Sequence, residues 1–220
     1  MASSGYFVTG TDTNAGKTWA SVALMLALQA RGRVVVGMKP VAAGCQWQQG
    51  GWKNQDALLL QRYASLAFDY HHVNPYAFER PVSPHVACGD VQVSLDVILA
   101  EFKHLKASGD CIVVEGAGGW LSPLGPDLDN ENLAVALGLP VIVVVGMRLG
   151  CINHARLTVQ AIRQTGLSIV GWLAVQLESD MPEFQANLVY LQNCIRMPCL
   201  GVLPYMSSPE FEVLAAFVNI

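Results

Sequence analysis

The chain has 220 residues and six cysteines, a length that buries a sizeable core in one domain without disulfides. Its formal net charge is −4 and no Lys/Arg run occurs, so the electrostatic footprint of a protein that holds nucleic acid by its phosphates is missing. Hydrophobic residues make up 52% and charged residues 14%, a balance that leaves apolar surface for a subunit interface and makes a homo-oligomer the expectation.

The first predicted element is a short apolar strand, Tyr6 to Thr9, running into TGTDTNAGKT and a helix over Lys17 to Gln29. Backbone N–H groups of such a loop and of the helix start converge on one concavity suited to phosphate. Lys17 supplies a mobile positive charge for the outer phosphates, and the Thr18 hydroxyl can ligate Mg²⁺. Gly10 and Gly16 are separated by five residues, where the common phosphate loop has four, so Thr11 stands in the place of the usual first glycine. The competing reading is an ordinary glycine-rich turn.

A second strand, Val34 to Met38, delivers Lys39 to the carboxyl edge of the sheet, where a lysine is either functional or simply solvated. Ala43 to Asn54 reads as an irregular, mobile loop beside the site, with two tryptophans for which packing is the plain reading. Asp56 opens the next predicted helix, Asp56 to Tyr63, where it serves either the site or the helix N-terminus. After a helix over Leu95 to Lys106, the strand Cys111 to Glu115 ends in a carboxylate followed by Gly116, Ala117, Gly118 and Gly119. A carboxylate at the end of a buried strand is costly without compensation. In phosphate-loop proteins an acid in this place helps to hold Mg²⁺, and small residues let a ligand approach the backbone.

The apolar run from Leu133 to Met147 contains Gly138 and Pro140; it is too short for a membrane helix and reads as helix, turn and buried strand Val141 to Gly146. No membrane association is expected, and no basic stretch precedes a long apolar segment as in a secretory leader, so the cytoplasm is the expected compartment. The turn GMRLGCINHA then enters a helix over Asn153 to Thr165, with Asn153 as its N-cap. Cys151 lacks an identifiable base and reads as a small buried thiol, while His85 and His154 read as structural. A strand over Ile169 to Val175 and helices over Pro182 to Cys194 and Pro209 to Phe217 complete the series. The alternation implies an α/β fold: a mostly parallel sheet covered by helices on both faces, with ligands at the carboxyl ends of its strands.

Taken together, FVTGTDTNAGKT, GMKPVAAG, NQDALLLQRY, VNPYAFERPVSPH, VVEGAGGWLSPL, VIVVVGMRLGCINHARLT and LGVLPY resemble, in order and spacing, the dethiobiotin synthetase family over almost the whole chain. The resemblance implies a single P-loop NTPase-like domain over residues 1–220. It implies the joining of 7,8-diaminononanoate, CO₂ (or bicarbonate) and ATP into the cyclic urea of dethiobiotin, in biotin synthesis, with Mg²⁺. By motif, it assigns Thr18, Asp56 and Glu115 to the metal, Lys39 and Lys17 to catalysis, and Thr13 to the reacting end of the substrate. Asn14, Ala15, Gly16, Trp19, Gly116, Ala117 and Gly118 fall to the nucleotide, as do Leu203, Pro204, Tyr205 and Glu210. Gly150, Cys151 and Asn153 match the helix start that binds the substrate carboxylate across the interface of a homodimer. The family's phosphate loop carries the same five-residue gap.

Two positions depart from the family pattern. Ala43 stands where many relatives have serine, removing a hydroxyl near the substrate. Val175-Gln176 stands where an Asn-Asp pair reads adenine, which puts base selectivity in question. Two other classes have related ATP domains. Positioning switches that partition plasmids or place division septa carry an extra lysine early in the loop, absent from Gly10-Thr11-Asp12. Amide-forming synthetases of corrinoid biosynthesis require an additional glutaminase domain.

Overall fold

The computed structural model describes residues 4–48 and 50–220. In chain order the elements are β1 (Gly5–Gly10), α1 (Lys17–Gln29), β2 (Val35–Met38), β3 (Val41–Ala43), β4 (Gln46–Gln48), β5 (Gly51–Lys53), α2 (Gln55–Arg62), α3 (Tyr70–Val73), β6 (Tyr76–Phe78) and α4 (Pro84–Ala87). There follow α5 (Leu95–Ser108), β7 (Cys111–Gly119), β8 (Pro123–Gly125), β9 (Leu128–Asp129), α6 (Asn130–Leu137), β10 (Val141–Met147), α7 (Cys151–Gln164), β11 (Ile169–Gln176), α8 (Phe184–Ile195), β12 (Cys199–Leu203) and α9 (Phe211–Ala215).

Six strands form one parallel sheet in the order β12-β11-β10-β1-β7-β2. All residues of β1 and β10 are buried, which is why these strands are near-continuously apolar instead of alternating. Successive side chains still point to opposite faces. Phe7, Val114 and Val143 join one core, and Val8, Val113 and Val144 the other, under α1, α2 and α9. Two features of β1 and its neighbours shape the site. The chain leaves β1 towards β2, then returns to place β7 between them and β10 on the other side; the order therefore reverses around β1 and opens a crevice at its carboxyl end. The β1/β7 register also shifts, from Val8 opposite Glu115 to Gly10 opposite Gly119, a bulge that re-aims the backbone after Glu115.

The structure differs from the sequence reading at several places. The expected irregular loop over residues 43–54 contains an antiparallel hairpin, β4/β5, in which Trp47 and Trp52 face each other edge to face at 5.4 Å; Gln49 lies outside the described residues. The sixth sheet strand, β12, is short and interrupted by Gly201, whose Cβ would meet the Phe217 carbonyl oxygen at 2.0 Å. That glycine masked its strand character. Helix α7 begins at Cys151 with Gly150 as N-cap, so Asn153 lies inside the helix. Gly150 adopts φ 94, a conformation that starts the helix two residues before the side chain expected to cap it.

Candidate active site

The carboxyl ends of β1, β2, β7 and β11 surround a cleft of ≈ 820 Å³. The start of α1 forms its floor. Gly16 is left-handed at φ 85, and no side chain caps the helix, so the first-turn N–H groups remain available to a ligand. A Cβ on Gly16 would also come within 2.6 Å of Val175 Cγ1. Glycine is required there twice over, by conformation and by packing. Asn14 is left-handed too, at φ 57. The loop is tied down by Thr11, whose N–H donates to the Val144 carbonyl and whose hydroxyl accepts from Gly146 N–H at 3.3 Å, and by an Asp12–Arg148 ion pair.

Four polar side chains from four segments converge at the inner end. Glu115 is fully buried. Its Oε1 accepts from Lys39 Nζ at 2.6 Å and from Thr18 Oγ1 at 3.0 Å, while Oε2 has no hydrogen-bond partner. Lys39 also donates to the Gly116 carbonyl at 3.2 Å and lies 3.3 Å from Asp56 Oδ2. Burial works against the Lys39 ammonium, but Glu115 and Asp56 outweigh it and hold its pKa above the ordinary lysine value. Burial alone would raise the Asp56 carboxyl; Lys39, the Thr18 hydroxyl and Lys17 together hold it below the usual range. For Lys17 burial is not outweighed, although Glu115, Asp56 and Asp12 also favour its ammonium. Its Nζ donates to the Asp12 carbonyl at 3.0 Å, and burial, followed by the nearby charge of Lys39, pushes it down to about 8.

This constellation is held from behind by residues the sequence reading did not single out. Buried Asn74 donates to the Lys39 carbonyl at 2.6 Å and to the Tyr76 carbonyl at 3.1 Å, and it accepts from Tyr70 Oη at 2.8 Å. Tyr70 Oη in turn accepts from Asn54 N–H at 2.7 Å. Asn54, not Asp56, caps α2: its Oδ1 accepts from Asp56 and Ala57 N–H at 2.9 and 3.3 Å. The capping role expected for Asp56 is thereby filled, and its carboxylate is left to the cleft. Across the cleft, Asn130 binds both the N–H and the C=O of Ala117 at 3.2 and 2.5 Å, and the Gly119 carbonyl at 2.8 Å. Ser122 Oγ accepts from Gly119 N–H at 2.7 Å. A Cβ on Gly118, at φ +74, would lie 2.5 Å from that hydroxyl and 3.5 Å from Thr13 Oγ1, which puts Thr13 opposite this loop. An Asn two positions before Asp56 was a readable cap signal; Asn74 and Asn130 gave none, since the contacts that serve the site, Asn74 to Lys39 and Asn130 to Ala117 and Gly119, span 35, 13 and 11 positions.

The cleft brings together Thr13, Asn14, Gly16, Lys17, Thr18 and Trp19 from the first loop and helix. It adds Lys39, Ala43 and Asp56 from the second sheet edge, and Glu115, Ala117 and Gly118 from the third. At its outer end stand Val175, Gln176 and Tyr205, with Leu177 and Met206. Ala15 is buried beneath the loop and Leu203 is buried in the sheet, while Pro204 and exposed Glu210 lie off the lining. Gly150, Cys151 and Asn153 do not line this chain's cleft; Cys151 is buried against the core, and neighbouring Leu149 is 99% exposed.

A family model described as an AAA domain matches residues 4–212. The chain is similar to the ATP-dependent dethiobiotin synthetase BioD of Xanthomonas campestris pv. campestris, with 46% identity over 217 residues, 98% of this chain and 97% of that protein. The protein of the same description from Cellvibrio japonicus is 45% identical over 222 residues, covering 100% of this chain and 97% of that one. Among solved structures, the MinD cell division protein of Aquifex aeolicus superposes with a TM-score of 0.58 at 14% identity, covering 96% of this chain and 85% of that one. The cell division ATPase MinD of Pyrococcus furiosus does so at 0.53 and 16%, covering 97% of each chain. At such identities the likeness is one of fold alone.

Proposed function

The chain belongs to the ATP-dependent dethiobiotin synthetase family, and from that premise we propose how its cleft closes a cyclic urea. The reaction joins 7,8-diaminononanoate, CO₂ and ATP into dethiobiotin, ADP and phosphate, and the chain acts as one domain. The observation that carries the reading is the buried Glu115 carboxylate, with Lys39 and Thr18 on one oxygen and the other unpaired.

One substrate amine adds to CO₂ and forms a carbamate, a poor electrophile. Transfer of the γ-phosphoryl group to a carbamate oxygen gives a carbamic-phosphoric anhydride; the second amine then attacks the carbonyl carbon and expels phosphate. The enzyme's part is positioning and charge stabilisation. The start of α1 and Lys17 hold the outer phosphates of ATP. Lys39, fixed at both its ammonium and its backbone, offers N–H donors to the carbamate and to the oxygens that gain charge during transfer. Thr13, facing the Gly118 loop, orients the reacting end of the diamine. A hydroxyl and two carboxylates, with one buried carboxylate oxygen unpaired, are a donor set suited to a hard dication. Thr18, Asp56 and Glu115 would hold Mg²⁺, which neutralises phosphoryl charge. Ser122, on the wall opposite Thr13, is a hydroxyl able to serve the substrate where Ala43 has none.

The uncapped start of α7 suits a carboxylate, yet Gly150 to Asn153 lie off their own chain's cleft. The turn therefore serves the second subunit of a homodimer, taking the carboxylate tail of the diamine bound there. Mixing a Lys39→Ala chain with an Asn153→Glu chain tests this. Partial recovery of turnover in the mixture is expected, and none would refute the shared site. We place the reaction in the cytoplasm, where ATP is supplied and the six cysteines stay reduced.

Phosphate release with diaminononanoate, bicarbonate and ATP omitted in turn tests the reaction itself. All three are required if the reading is right. Release that continues unchanged without the diamine would favour a switch ATPase.

A further inference from the structure

Behind the cleft, away from its lining, α3 carries an arrangement that the ligase reaction does not use. Asp69 precedes the helix, His71 and His72 lie within it, and one potential ligand atom from each of the three falls within 4.8 Å of the others. Two imidazoles and a carboxylate are a donor set for zinc and neighbouring late transition metals, unlike the all-oxygen set in the cleft. A tetrahedral ion with Zn–N and Zn–O bonds near 2.0–2.1 Å spaces its ligand atoms about 3.3 Å apart. Asp69 and His71 are exposed and His72 is half-buried.

The second, independent observation comes from α5. Glu101 Oε2 lies 2.6 Å from His72 Nδ1. A carboxylate on one ring nitrogen holds the neutral imidazole's proton there and leaves Nε2 as the lone-pair nitrogen, the support metal-ligating histidines commonly receive. The ring is held further by His104, whose centroid is 4.3 Å away, and His104 packs edge-on against Phe68 at 6.1 Å. The His71 ring is also close, its centroid 3.8 Å from that of His72.

We propose that Asp69, His71 and His72 form a surface site for zinc or a similar late transition-metal dication, with Glu101 orienting His72. Its placement gives it a route to the active site. The Val73 carbonyl accepts from Lys39 N–H at 2.8 Å, and Tyr70 and Asn74 belong to the network that holds Lys39 and Asn54. An ion clamping the α3 turn stiffens the segment on which Lys39 rests.

The test is zinc binding by calorimetry to untagged protein in excess Mg²⁺, which occupies oxygen sites. One equivalent per chain is expected, together with a zinc-dependent rise in Tm. His71→Gln and His72→Gln should each weaken binding at least tenfold and remove the rise, and Glu101→Gln should weaken it about tenfold through ring orientation. Cys194→Ser and Cys199→Ser should leave it unchanged. If a histidine variant fails to fold, as its metal-free Tm will reveal, Asp69→Asn replaces it. Zinc binding that survives both histidine substitutions, or that disappears with the cysteines, overturns the proposal, as does the absence of binding by the wild-type chain.

Discussion

At the inner end of the cleft Lys39, Glu115, Thr18 and Asp56 are joined to one another by contacts of 2.6–3.3 Å and tied from behind through Asn74, Tyr70 and Asn54. At the outer end, among the described residues, the Gln176 side chain reaches only the Ser179 carbonyl, at 3.5 Å, and Tyr205 is exposed. The first arrangement suits a step that needs charges fixed before the substrate arrives. The second suits a group that must be bound but does not react. Val175 belongs to neither class of ligand contact: its side chain packs on Gly16 and fixes the floor of the cleft. If the base occupies this end of the cleft, as proposed, a valine there offers it no polar partner while supporting the phosphate loop.

The strongest attack on this contrast is Lys39→Ala. Turnover should fall by about 10³-fold if Lys39 is, as proposed, the donor aimed at developing charge. The same change leaves Glu115 buried with a lost cation, so unfolding stability should fall by about 3–5 kcal/mol, part of it regained with Mg²⁺ and ADP. Product formation and denaturant melts read the two effects, and near-normal turnover would refute the assigned role. Asn74→Ala probes the support alone. It strands the Lys39 carbonyl and the Tyr70 hydroxyl at a cost of about 1–3 kcal/mol, and kcat should drop about tenfold at most, with less change in KM for ATP; Tyr70→Phe should follow more mildly. If KM rises and kcat holds, Asn74 does not position Lys39.

The outer end should answer differently. Turnover compared across ATP, CTP, GTP and UTP should show a preference for ATP below about a hundredfold, because one good polar readout of a base is worth only about 1–3 kcal/mol and Gln176 is loosely held. A preference of a hundredfold or more would show that this end is built as firmly as the other. The smallest effect lies on Lys17. Its ammonium is depressed to about 8 in the free chain, and phosphates favour the protonated form. ADP binding at pH 8.5 should therefore take up a proton, little should be taken up at pH 6.5, and affinity should decline as pH rises past 8. Calorimetry in buffers of different ionisation enthalpy measures the uptake, and equal values at both pH values would contradict the assignment.

How much was legible depended on the range of the interactions. Helix α1 over Lys17–Gln29 agrees with its sequence expectation end to end, because apolar residues, a loop glycine at its start and a glycine just past its end, Gly32 at φ 81, are all local signals. Five of the six strands of the main sheet, β1, β2, β7, β10 and β11, were recognisable from their apolar, β-branched runs. The pair β8/β9 and helices α3 and α4 were not, being too short to show a period. Asp56 was expected to open α2, but the cap is Asn54, through local bonds to the Asp56 and Ala57 N–H groups, and contacts to Tyr70 and Ala43 hold Asn54 in place.

The sequence by itself determined the order of strands and helices, the phosphate loop and the residue types available for chemistry, since all of these rest on spacing within a few residues. Only the tertiary structure decided which of them meet. Glu115 and Lys39 are 76 positions apart, Thr18 and Glu115 97. The reversal of strand order around β1 and the bulge after Glu115 bring them within hydrogen-bond reach, and burial then makes the Lys39 ammonium depend on Glu115 and Asp56 for its charge.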